Sequence, residues 1–231
     1  RLVHMLQARR RFLADAAHQI RTPLAVLGTQ ADYGVRQLDP EEMRRTFAGM
    51  QASIRGTRHL ANQMLTLARA EQAEHLLQDR QTLDFAELVR EVAGDFALLA
   101  VHKGIDLALD DGGRAARLSG NATMLRAAVS NLIDNALRYT PAGGHVTLAL
   151  RKDAGQLRLT VCDDGPGIAP EEREAVFKRF YRVLGNRDSE GSGLGLCIVR
   201  EIVLAHGGAV QLSDAPGGRG LCVDLALPAD G

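Results

Sequence analysis

The chain lacks net charge: 28 Lys and Arg offset 28 Asp and Glu over 231 residues. Without a basic excess there is no general electrostatic attraction to phosphate backbones, which argues against nucleic-acid binding. No apolar run reaches the roughly 20 residues that a membrane helix needs. A secretory leader pattern is also missing. The opening, RLVHMLQARRRF, starts in mid-helix without a cap and reads as a fragment whose upstream part, with any membrane anchor, lies outside it. Cysteine is scarce. Cys162, Cys197 and Cys222 are far apart, odd in number and set among apolar neighbours. They read as reduced core thiols of a cytosolic protein, not as a disulfide framework or a zinc site. His4, His59, His75, His102, His145 and His206 show no metal-ligand spacing and read as surface or helix-end residues.

What the chain does have is 45% apolar and 24% charged residues, enough for a globular core in one large or two ordinary domains. Its first segment, FLADAAHQIRTPLAVL, is helical by period. Leu13, Ala17, Ile20, Leu24, Leu27, Ala31 and Leu38 form one apolar stripe. With Ala17 and Leu24 at a positions, His18 falls at b and faces solvent, where a nucleophile can be reached. Thr22 lies one turn later on the same face, beside Arg21. Pro23 deprives the helix of one N–H bond, which either kinks it near His18 or is simply tolerated at the surface.

A second heptad stretch runs from about Glu41 to Glu71, with Met43, Phe47, Met50, Ile54, Thr57, Ala61, Met64 and Ala68 on its seam. Between the stretches, LDPEE supplies Asp39 as N-cap and Pro40 as first helical residue. Two such helices make an antiparallel hairpin. A lone hairpin leaves part of each stripe exposed, so pairing into a dimeric four-helix bundle is expected, with packing on the downstream domain as the alternative.

The expected organisation is α+β. A hairpin over residues 1–72 is followed by a polar linker over 73–83 and an α/β sandwich over 84–231. Helices are expected at 85–102, 121–138, 171–182 and 193–206, with strands at 105–110, 145–153, 156–164, 209–215 and 220–228.

Three segments of the second domain carry chemistry. In NLIDNALRYTP, Asn131 and Asn135 share a helix face, and amides among apolar neighbours need a hydrogen-bonding partner. An amide oxygen is a hard ligand suited to Mg²⁺. In VCDDGPGI, a strand delivers Asp163 and Asp164 into a turn with Gly165 and Gly167, where backbone can approach a ligand closely. In SEGSGLGLCIVREIV, Gly191, Gly193 and Gly195 run into a helix N-terminus, an anion site. Neither a Walker A loop nor a Rossmann unit surrounds it. Each segment alone is a weak signal.

In their order and spacing they resemble the sensor histidine kinases of bacterial two-component systems, whose ATP-binding domain shares a superfamily with gyrase and Hsp90-type ATPases. The resemblance covers essentially the whole chain: AHQIRTPL is similar to the H-box, NLIDNALRYT to the N-box, DDGPGI to G1, FKRFYR to the F-box and GSGLGL to G2. It implies that His18 accepts phosphate, with Gln19 and Thr22 as its catalytic neighbours. Asn135 would be the Mg²⁺ ligand, assisted by Asn131. Arg138 and Tyr139 would contact phosphate and adenine. Asp163 would accept from the adenine amine in a pocket shaped by Gly165 and Gly167. Gly191, Gly193, Leu194 and Gly195 would bracket the phosphates of ATP.

Residues 183–192 then read as a polar lid. Phe177 and Phe180 anchor its near end or serve as ordinary core. The implied partners are a second copy of the chain and the receiver domain of a response regulator. The implied location is the cytoplasmic part of an inner-membrane sensor. Thr22 matches the family position for dephosphorylating the regulator. One departure stands out: Gln19 occupies a position where an acid is usual, and an amide orients the imidazole without taking its proton. Two other readings account for fewer residues. A non-catalytic dimeric scaffold is favoured by Gln19 alone, and a mechanical ATPase leaves the exposed His18 unexplained.

Overall fold

Two long helices open the chain in the computed structural model: α1 (Leu2–Arg36) and α2 (Pro40–Ala70). The structure describes residues 2–71, 79–113, 115–153, 155–183 and 191–230, with side chains from Asp15 onward. Contacts divide the chain into two units, Arg1–Leu65 and Thr66–Gly231.

In the first unit α1 continues through Pro23 without a break. Asp39 closes the turn as expected, its Oδ1 accepting from Glu41 N–H at 3.0 Å. Small residues let the helices approach: a Cβ on Gly34 would lie 3.2 Å from Thr46 Cγ2, and one on Gly49 would lie 3.0 Å from Gln30 Nε2. Ser53 Oγ donates to Gln30 Oε1 at 3.3 Å across the same seam. The apolar stripe therefore splits. Ile20 and Leu27 are partly covered, while Leu24 (54%), Leu38 (95%), Phe47 (54%) and Ile54 (53%) remain exposed in the single chain.

In the second unit, β1 (Gln81–Asp84) pairs antiparallel with β3 (Arg117–Gly120). The end of the stretch read as a linker is thus strand, and residues 72–78 lie outside the described residues. The α3 helix (Phe85–Lys103) starts on Asp84, whose Oδ1 accepts from Ala86, Glu87 and Ala116 N–H. Burial opposes its charge, but the three donors outweigh it and hold Asp84 below the ordinary carboxylate range. The main sheet contains β2 (Asp106–Asp110), β4 (His145–Asp153), β5 (Gln156–Asp163), β6 (Ala209–Asp214) and β7 (Leu221–Pro228). Their order is β2-β4-β5-β7-β6, parallel only at β2–β4. Helices α3, α4 (Ala122–Tyr139) and α5 (Gly195–Ala205) bury Leu125, Leu132, Ile133, Ile198 and Ile202, while alternate strand residues such as Leu148, Leu159 and Leu225 complete the core.

Two expectations need correction. No α-helix spans 171–182; the described residues there form two 3₁₀ turns, Pro170–Glu172 and Ala175–Phe177. Phe180 has φ +60°, and its N–H donates to Gly193 O at 3.0 Å, an arrangement incompatible with a continuing helix. Cys162 and Cys222 stand opposite each other in the β5–β7 register and form a disulfide. Their separation of 60 residues hides a cross-strand neighbour that only the register reveals. Cys197 is free and buried as read, and burial, the largest cause, pushes its thiol up to about 11. His206 is a helix-end residue as expected, capping α5, and it is buried there.

Candidate functional site

The first group of site residues lies on α1. His18, Gln19 and Thr22 are all exposed, and Thr22 Oγ1 donates to His18 O at 3.4 Å. The side chains of His18 and Thr22 therefore share one outward face, as the period required. A hollow of about 500 Å³ begins on the same helix, lined by Arg21, Thr22, Ala25, Val26, Thr29 and Gln30.

The second group converges in the other unit. Along α4, Asn131, Asn135, Arg138 and Tyr139 are partly exposed, although Leu132, Ile133, Ala136 and Leu137 between them are buried. The face that carries the polar groups is thus the one the core does not cover. Asn131 Nδ2 donates to Ala127 O at 2.8 Å. Arg138 Nη2 pairs with Asp134 Oδ2 at 2.7 Å, both side chains about one quarter exposed. That carboxylate fixes the guanidinium while leaving it further donors.

The start of α5 faces these amides. A Cβ on Gly195 would lie 3.0 Å from Asn135 Nδ2, 3.2 Å from Asn135 Oδ1 and 3.3 Å from Asn131 Oδ1. One on Gly191 would lie 3.5 Å from Arg138 Nη1 and 3.7 Å from the Tyr139 hydroxyl. Gly193 has φ +69°, and a Cβ there would lie 2.7 Å from the backbone carbon of Phe180, so only glycine suits the position. Leu194 is fully buried; its N–H donates to Ser192 Oγ at 3.1 Å, and its carbonyl accepts from Ile198 at 2.9 Å to begin the helix. The first-turn N–H groups of α5 thus open beside two carboxamides and a guanidinium.

On the other side, Gly165 is pressed against Tyr139: a Cβ would lie 2.8 Å from Tyr139 O. Gly165 N–H donates to Asp163 Oδ1 at 2.9 Å. Burial is the main influence on Asp163 and raises its pKa; the Gly165 and Leu221 N–H groups pull the other way and the Asp164 charge adds to the rise. Asp164 has a different task. It accepts from His145 N–H at 3.0 Å and meets His145 Nδ1 at 3.2 Å, pinning the start of β4, and the His145 N–H is the main reason its pKa is lowered. Gly167, at φ +73°, would place a Cβ 3.0 Å from Gly220 O. Gly220, expected only as the first residue of a strand, is a further site neighbour: a Cβ there would collide with Asp163 O. The GGRG run before β7 was its only sequence trace.

Gly191 and Gly195 thus meet Asn131, Asn135, Arg138 and Tyr139 across a cleft, with Gly193 between them packed on Phe180, and Asp163, Gly165 and Gly167 belong to the segment packed against Tyr139. Most of the expected lid, residues 184–190, lies outside the described residues. Among the described residues no three His, Cys, Asp or Glu side chains gather as a metal site. The donors that do converge are carboxamide oxygens, hard ligands that fit Mg²⁺ carried with phosphate and water.

Residues 120–231 match the family described as histidine kinase-, DNA gyrase B- and HSP90-like ATPase, and residues 8–73 match the His Kinase A (phospho-acceptor) domain. The solved mycobacterial sensor histidine kinase MprB is 33% identical, covering 65% of this chain and 97% of its own, with TM-score 0.56. The chain belongs to the sensor histidine kinase family. A second member, the sensor protein kinase PmrB of Pseudomonas aeruginosa, is 41% identical over 99% of this chain and 47% of its own length. Full-length ShkA, solved in complex with AMPPNP, is 26% identical with TM-score 0.69, covering 95% of this chain and 46% of its own. The chain spans about half the length of the curated relatives it matches: 47% for PmrB and 40% for MprB of Mycolicibacterium paratuberculosis. No helix among the described residues is long and apolar enough to cross a membrane.

Proposed function

We propose that this chain is the kinase portion of a sensor protein, binding ATP with Mg²⁺, phosphorylating His18 and passing the phosphoryl group to an aspartate of a response regulator. The observation that carries the proposal is the convergence of Asn131, Asn135, Arg138 and Gly191 to Gly195 at one helix N-terminus, in a chain that also exposes His18. ShkA, a family member with AMPPNP bound, supports nucleotide as the ligand.

In this mechanism Asp163 accepts a hydrogen bond from the adenine amine, and Gly165 and Gly167 leave room for the ring. The N–H groups at the start of α5, together with Arg138, hold phosphate oxygens. Asn135, assisted by Asn131, would hold Mg²⁺, which when bound would supply charge neutralisation for the phosphates. An imidazole nitrogen of His18 attacks the γ-phosphorus, its bond to the β–γ bridging oxygen breaks, and ADP leaves. Gln19 orients the imidazole by hydrogen bonding. The phosphoryl group then moves from the imidazole to the regulator carboxylate. Thr22 supports the reverse duty, dephosphorylating that regulator.

The proposed domains are a phosphotransfer hairpin at 1–72, a linker at 73–83 whose last residues join strand β1, and a catalytic domain at 84–231. Exposed Leu24, Leu38, Phe47 and Ile54 support a homodimer through a four-helix bundle, because removing their remaining apolar surface from water is favourable. The hollow beside Thr22 supports docking of a receiver domain next to His18. Any membrane anchor would belong to parts of the protein outside this chain, which would then act in the cytoplasm. Calorimetric titration with Mg·ATP tests the nucleotide site: wild type binds, and Asn135→Ala binds at least tenfold more weakly. Equal affinity would remove Asn135 from the site.

A further inference from the structure

The cross-strand cysteine pair adjoins the nucleotide pocket on both strands. Cys162 immediately precedes Asp163, and Cys222 immediately follows Leu221, whose N–H donates to the Asp163 carboxylate. Asp163 and Leu221 are themselves partners in the β5–β7 register, one step from Cys162 and Cys222. Two residues before Cys222, Gly220 packs so closely on Asp163 that no side chain fits between them. Position 163 is thus held by β5 from one side and by β7 from the other, and the disulfide is the covalent tie between those strands at that point. Cys162 alternates with the buried Leu159 and Val161, which sets it on the other sheet face beside Thr160, whose hydroxyl donates to Asp224 Oδ1 at 2.5 Å. Cys162 is partly exposed there, whereas Cys222 is buried, so attack falls on the Cys162 side of the bond.

We propose that the Cys162–Cys222 disulfide is a redox-modification site that controls the nucleotide pocket, opened by a dithiol reductant. The inference rests on the ATP-binding reading of that pocket. A reductant thiolate attacks one sulfur of the pair, forms a mixed disulfide and releases the other cysteine as a thiolate, which takes a proton. The second thiol of the reductant then displaces the first cysteine and closes its own disulfide. The protein gains two electrons and two protons, and the reductant loses them. With the tie gone, the sulfurs separate to van der Waals distance and the β5–β7 ends gain freedom where Leu221 and Gly220 position Asp163. The binding-competent arrangement becomes one of several, and apparent affinity falls in proportion to its population. In a reducing compartment such a bond is transient, which is how intracellular disulfides act as sensors.

The test is calorimetric titration of Mg·ATP into the wild-type chain after mild oxidation and after treatment with dithiothreitol. Thiols are counted in denaturant in parallel: one in the oxidised form, Cys197, and three after reduction. The expected result is a Kd roughly three- to tenfold higher in the reduced form, reversible on reoxidation. The double variant C162S/C222S, checked for folding by circular dichroism, should bind like the reduced chain and ignore dithiothreitol. Equal Kd values in forms with one and three thiols would overturn the inference while leaving the ATP site intact. Three thiols after oxidation would overturn it as well. Absence of ATP binding in both forms would overturn the ATP reading itself, and the control with it.

Discussion

Gly195 and Asn135 meet across the cleft so closely that a Cβ at position 195 would fall 3.0 Å from the Asn135 amide nitrogen. The helix N-terminus and the amide face of α4 are therefore one site, and the first residue of α5 is small because a neighbouring side chain occupies the space. Gly195→Ala should raise the Kd for Mg·ATP by about tenfold, or 1.4 kcal/mol. The melting temperature should hold or rise slightly, since alanine favours the helix. Titration calorimetry beside thermal unfolding separates the two effects; a fall in stability with unchanged Kd would contradict this assignment.

Asp163 is expected to trade stability for binding. Burial raises its pKa above the ordinary 3.8, so ionising it costs the folded state more than the unfolded chain. That cost is absent well below pH 3.8, grows as pH rises through the folded pKa and is complete at neutrality. Asp163→Asn should therefore unfold at a higher temperature than wild type at pH 7, with the gain shrinking towards pH 4. Its nucleotide affinity should drop. Melting curves across pH check the first part, and a variant less stable than wild type at pH 7 would refute it.

His206 should make the second unit sensitive to acid. Its Nε2 accepts from Asn121 N–H at 3.0 Å, so the ring is neutral with its proton on Nδ1, 2.7 Å from Ile202 O. Burial depresses its pKa, the Ile202 carbonyl opposes that, and the Arg80 charge adds to the depression. The unfolded chain therefore takes up this proton first as pH falls. Stability from neutral His206 is full above about pH 6.5 and is lost as pH drops through the lower folded pKa. Urea unfolding at pH 7.5 and pH 5 should show this loss in wild type and less of it in His206→Gln.

Periodicity made much of this legible. Asn131 and Asn135 could be put on one helix face because the 3.6-residue repeat fixes their direction without knowledge of the fold. His18 was legible for the same reason, being off the stripe that Ile20 and Leu27 define. What stayed hidden depends on contacts distant in sequence. Leu83 pairs with Leu118 and Asp84 caps α3 while also bonding Ala116 N–H, so a polar stretch without alternation becomes strand β1. Cys162 and Cys222 are neighbours only through register. A helix is expected over 171–182, but the bond from Phe180 N–H to Gly193 O redirects the chain.

At position 19 the amide is expected to slow autophosphorylation without abolishing it. A neighbouring general base is typically worth about 10²–10⁴-fold, and an amide supplies only its orienting hydrogen bond. Gln19→Glu should raise the initial rate of His18 labelling, and an unchanged rate would show that residue 19 plays no part in the step.

The central claim is best tested by incubating the chain with γ-labelled ATP and Mg²⁺, wild type against His18→Ala. The account requires acid-labile, alkali-stable label on wild type and none on the variant. Wild type that binds nucleotide yet takes up no label, or a variant that labels equally, would contradict it.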